Sequence, residues 1–224
     1  MAIEGRTANE KLRGYLMEAT KKSTLPVKIY KETLRSLIHE FGNLGYINGD
    51  GDFTDVKCFH ANPERTIAKL YQENNIILPV ITVGQAKIDD DINRRRYKPL
   101  IVASKYYNED TRRAERVISF VDRPVNISYT VNLWTKYMED LDQLSEQVRL
   151  KFNPSLFFIT PFSKDTKAFL SDEASNSDLT TSDREDRLLR KSFTILVETY
   201  IPSPKFKYTS TGKIEELGIE AYLT

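Results

Sequence analysis

Across residues 123–158 the hydrophobic period of the chain changes twice, and this limits what the stretch can fold into. Val125, Ile127, Tyr129, Val131 and Leu133 alternate with Asn126, Ser128, Thr130, Asn132 and Trp134. A period of two over that length predicts a β-strand with one buried face. Met138, Leu141, Leu144, Val148 and Phe152 then recur every three or four residues, the spacing of one helix face. Asp140, Asp142, Glu146, Gln147 and Lys151 fall largely off that face and are expected to meet water. Asn153-Pro154 should end the helix, because proline disfavours a helical residue before it, and a second strand should begin at Leu156. A strand, an amphipathic helix and a return strand make a scaffold, and no catalytic group is visible in it.

The rest of the chain supplies further elements. Residues 1–25 are polar and predict an N-terminal arm, with a short helix around Glu10 to Ala19. Leu34, Leu37, Phe41 and Leu44 form one stripe of a helix over 30–44, and a short strand is expected over 56–61. Asn62-Pro63 suits the cap and first position of another helix. Residues 76–88 read as a strong strand in which Pro79 marks an edge or a bulge. Residues 89–122 then form a long inter-strand arm, either a hairpin or an ordered loop, and 163–186 an acidic surface loop. Phe193, Ile195 and Val197 alternate within a third clear strand over 188–201, which Pro202 and Pro204 end. The tail, 205–224, either folds back or docks on a partner. The expected fold is α+β, a mostly antiparallel sheet with helices packed on one face. It forms a single domain over 26–204, flanked by the two terminal extensions.

Composition narrows the function. Lys and Arg number 33 against 32 Asp and Glu, so the net charge of +1 gives no bulk attraction to nucleic acid or anionic membrane. One cysteine excludes an internal disulfide, and with two histidines it makes a Cys/His zinc site untenable. The N-terminus lacks the apolar run of a signal peptide, and no stretch is long and apolar enough to span a membrane. A chain that works or assembles inside a cell is expected.

The candidate chemistry is sparse. No GxxxxGK[ST] or GxGxxG loop is present. Asn48, Asp50 and Asp52 have the alternate spacing of a calcium loop, but Phe53 stands where that loop needs glycine and Phe59 where it needs a bidentate glutamate. A plain turn is expected. Cys58 and His60 share a face of a short strand, which permits a thiolate pair but fits a buried structural cysteine better. Asp89, Asp90 and Asp91 followed by Arg94, Arg95 and Arg96 read as a self-pairing loop or a bridge to another subunit. Arg94, Arg95, Arg96 and the neighbouring Tyr97 are therefore candidate interface residues. Trp134 is a fifth, either as an interface anchor or as a cover for the sheet. No catalytic, metal or cofactor residue is assigned.

Three segments resemble the tail-terminator and tail-sheath-stabiliser proteins of contractile-tailed phages, the T-even type in particular. They are ILPVITVGQAKIDDDINRR, the strand–helix–strand unit of 123–158, and RLLRKSFTILVETYIPSP. Pro124, Tyr129, Thr135, Lys136, Tyr137 and Asp140 fill that family's strand-to-helix pattern, with Lys136 where the pattern has arginine. The resemblance spans about residues 30–205 and is weakest in both terminal extensions. It implies a virion protein that forms a hexameric ring at the head-proximal end of the tail. Such a ring would cap the tail tube, hold the sheath and meet the neck proteins, with at most non-specific contact to DNA in its lumen. Heterologous contacts that close by rotation suit such a ring. A neck-connector or baseplate subunit is the structural alternative. A DNA-binding accessory protein using the basic run is the alternative of another class.

Overall fold

The computed structural model describes residues 13–14, 17–18, 25–62, 78–95, 101–108, 112–160, 163–179, 188–203, 206–208 and 214–215. In chain order these residues form α1 (Leu25–Gly42), β1 (Gly45–Ile47), β2 (Phe53–Asp55), β3 (Lys57–His60), β4 (Val80–Asp90), β5 (Ile101–Asn108) and β6 (Arg113–Phe120). Then come β7 (Arg123–Thr135), α2 (Met138–Lys151), β8 (Leu156–Thr160), β9 (Ser163–Leu179), β10 (Leu188–Ile201), β11 (Phe206–Tyr208) and β12 (Ile214–Glu215). Residues 13–14 and 17–18 are helical. The helix expected after Asn62 lies outside the described residues.

A six-stranded sheet in the order β3-β4-β7-β10-β9-β8 carries the fold. Only β3 and β4 run parallel among its pairs, so the sheet is mostly antiparallel as expected. β7 lies at its centre. Val131 faces Val83 across one ladder and Phe193 across the other, and Tyr129 faces Ile195. The strict alternation of β7 and β10 thus places one apolar row from each on the same face. Both helices cover that face: Leu37 and Phe41 of α1 and Leu141, Leu144 and Val148 of α2 join Ile81, Ile127, Tyr129 and Ile195 in one buried core. Tyr129 is fully buried there, and its hydroxyl lies 2.6 Å from Thr33 Oγ1, tying the central strand to α1. Thr33 is itself satisfied by the carbonyl of Ile29, one turn back. The α+β class, with helices on one face of the sheet, is what the sequence predicts.

Several local expectations need correction. Residues 163–179 are not an acidic surface loop but the long strand β9, which pairs with β10 along its length. Buried Thr166 and Ala168 fall on the core side of β9, so alternating burial outweighs its polar composition. Met138 is 57 % exposed and not part of the helix's apolar face. It opens α2, before the helix has reached the sheet. Asp140, expected in water, is buried in the first turn of α2, near the positive end of the helix dipole. Pro79 lies just ahead of β4, and the irregularity in that strand falls between Gln85 and Lys87.

The arm contains a hairpin. β5 and β6 pair from Ile101↔Phe120 to Asn108↔Arg113. β11 adds to β6 and β12 to β11, which gives a second sheet in the order β12-β11-β6-β5. The described part of the C-terminal tail is therefore paired with the chain's own arm.

Candidate assembly surface

The acidic-then-basic run at the root of the arm is paired internally. Asp91 accepts bonds from the backbone N–H groups of Asn93 and Arg94, from Arg94 Nε at 2.6 Å and from Asn126 Nδ2 at 3.2 Å. Arg94 also donates to the Val125 carbonyl and to Asn126 Oδ1, stacks 5.1 Å from the centre of the Tyr200 ring, and lies 4.0 Å from Glu198. The bond from Arg94 holds the Asp91 carboxyl at about 2, well below its ordinary 3.8. Burial opposes the charge of Arg94, but Asp91, Glu198 and Tyr200 outweigh it and its pKa is raised. Arg94 thus staples the start of the arm to β7 and β10.

Arg95 differs. Its side chain is 59 % exposed, and the described ion-pair partner of its guanidinium is Asp90 at 3.8 Å. Asp90 is already held by Arg123 through two guanidinium nitrogens. Arg96 and Tyr97 lie outside the described residues. Of the basic run, Arg95 is the described member with a charge turned to solvent.

Trp134 has no surface to offer a partner. It is 0 % exposed and belongs to a second, smaller core with Val80 and Leu188, on the sheet face away from the helices. Its Nε1 donates to Thr82 Oγ1 at 3.1 Å, which satisfies the indole in place. Of the two readings of Trp134, the geometry favours the cover.

The remaining sequence candidates resolve into local structure. Asn48 Oδ1 accepts the backbone N–H groups of Asp50 and Asp52, and Gly51 adopts φ +87°. That is turn chemistry, with the asparagine oxygen already committed to the backbone. His60 Nδ1 bonds the Val83 carbonyl at 2.8 Å, whereas Cys58 packs against the main core and burial pushes its thiol up to about 12. The two do not form a thiolate pair. No metal-competent cluster of His, Cys, Asp and Glu occurs among the described residues.

The strand-to-helix pattern residues mostly shape the β7–α2 junction. Pro124, Tyr129, Thr135 and Asp140 are buried, and Thr135 Oγ1 donates to the Tyr137 carbonyl at 3.1 Å. Burial, then Glu139, raises the pKa of Asp140. Beside this junction Tyr137 and Met138 are 62 % and 57 % exposed. Ile47 and Phe53, directly opposed in the β1–β2 register, are 54 % and 65 % exposed. Sequence reasoning did not single out this apolar pair as surface. The available signal was two large apolar residues flanking a tight turn, on strands too short to cross a core.

Against this structure, a family model described as T4-like virus Myoviridae tail sheath stabiliser matches residues 28–222. The match takes in all the described strands, α2, and all of α1 but its first three residues. No curated protein matches the chain. Its helix-covered sheet, arm hairpin and returning tail therefore belong to a member of the T4-like Myoviridae tail sheath stabiliser family, a structural component of contractile phage tails.

Proposed function

We propose that this chain forms a closed ring of about six copies at the head-proximal end of the tail, as heterologous contacts between identical subunits allow. There it caps the tube, holds the last ring of sheath and presents a surface to the neck. The observation that carries this reading is the family match across 28–222. The second sheet supports it: the outer edges of β5 and β12 carry no partner strand among the described residues, and such edges are templates for pairing between chains. Arg95 supplies an exposed charge at the root of the same arm. The DNA-binding alternative loses support, because Arg94 is engaged by Asp91 and Asn126 within its own chain.

Light scattering with negative-stain imaging of the purified chain, alone and on isolated tail tubes, tests the ring. A closed ring in either sample is the expected result. Tails of normal length with stable sheath, in virus lacking the protein, would overturn the reading.

A further inference from the structure

The sheet face turned away from the helices holds an arginine without a counter-charge among the described residues. Arg190 of β10 donates from Nε and Nη2 to Asn132 Oδ1 at 3.0 and 2.8 Å. Its guanidinium carbon lies 5.2 Å from the centre of the Trp134 ring. Ser192 Oγ reaches the same asparagine oxygen at 2.8 Å. Two of the five N–H donors of Arg190 are engaged in this way, and the guanidinium plane is held by the indole. Among the described residues no carboxylate pairs with Arg190. Arg149, by contrast, has its pKa raised by its bond to Glu173, whereas burial lowers that of Arg190.

Asn132 carries an independent anomaly at the same place. It is 0 % exposed, and its Nδ2 has no acceptor. Buried donors of this kind are rare and costly. Turning the amide over would not help, since Arg190 and Ser192 converge on its oxygen and fix its orientation. A preorganised cation and an unsatisfied buried donor thus sit side by side on β7 and β10.

We propose that Arg190, held in plane by Asn132 Oδ1 and the Trp134 ring, forms an oxyanion site that takes a carboxylate or phosphate group against the free edge of the guanidinium. A fork held in one plane binds two oxygens of such a group at once. The group is an acidic side chain presented by a neighbouring protein of the tail, or a free phosphate.

Thermal unfolding of the full chain in chloride, acetate and phosphate at one ionic strength tests the site, beside Arg190→Gln and Asn132→Asp. Asn132→Asp puts a carboxylate on the Nε–Nη2 edge that Asn132 Oδ1 already occupies, so it supplies a counter-charge that weakens anion binding at the free edge and keeps the arginine. Acetate or phosphate should raise the Tm of the native chain by about 2–4 °C over chloride. Both variants should rise clearly less, because only the non-specific stabilisation by these salts remains in them. A response to acetate marks a carboxylate site, and a response to phosphate alone a phosphate site. No rise in the native chain, or an equal rise in either variant, overturns the proposal.

Discussion

Arg94 and Arg95 are neighbours in the sequence with opposite structural roles, and substitution should separate them. Arg94→Ala removes charge-assisted bonds to Asp91 and Asn126 from a partly buried side chain and should cost about 1–2 kcal/mol of stability, read by urea unfolding. Arg95→Ala should leave unfolding unchanged, because an exposed cation 3.8 Å from a carboxylate contributes little. Asp91 predicts a pH dependence. Its folded pKa of about 2 lies below the ordinary 3.8, so its contribution is complete above about pH 4 and is lost as the pH falls toward 2. Native Tm should therefore fall more steeply across that window than the Tm of Asp91→Asn. Cys58, with its thiol pushed up to about 12 by burial, should react slowly with thiol reagents at pH 8 until the chain is unfolded.

Among the elements, α2 does more than cover the sheet. Gln143 and Gln147, one helical turn apart, bond both the N–H and the C=O of Ile47 and Gly45. Four helical residues rise about 6 Å and two strand residues about 6.7 Å, so the two side chains can take the place of a neighbouring strand along β1. Replacing both with alanine should cost about 1–2 kcal/mol and speed hydrogen exchange at the Gly45 and Ile47 amides. Leu144→Asp acts on the face of the helix that packs into the main core. Leu144 is 0 % exposed within the main core, so a charge there should cost more than about 4 kcal/mol and abolish the cooperative melt followed by circular dichroism. Burial also explains how β9 escaped a sequence reading: its pairing with β10 and the burial of Thr166 and Ala168 define it, while local composition resembles a loop.

For the whole molecule, the second sheet joins distant parts of the chain. β11 pairs with residues 116–118 of β6, so the tail completes the arm. A chain ending at residue 203 should lose that ladder. Faster hydrogen exchange at residues 116–118, with melting of the helix-covered sheet retained, is the expected outcome. The edges of this second sheet that carry no partner strand among the described residues are where the proposed assembly would add one, because an unpaired ladder can be completed by another copy. The family relationship makes the molecule a component of a contractile tail, and the ring is the proposal that the closing of such contacts would satisfy.

The sequence by itself determined β7, α2 and β10, because their periods of two and 3.6 are properties of consecutive residues. Those periods also placed Tyr129, Leu144 and Phe193 on buried faces, where the structure has them. Tertiary structure alone decided the roles of Arg94, Trp134 and Asn132. Each depends on groups far away in the chain: Tyr200 and Asn126 for Arg94, Thr82 for Trp134, Arg190 for Asn132. The same holds for β9 and for the tail strands, whose backbone bonds are made across the sheet. A periodicity records which face of an element is buried. It carries no record of which partner completes a hydrogen bond, and the fold's polar contacts were settled by that second kind of information.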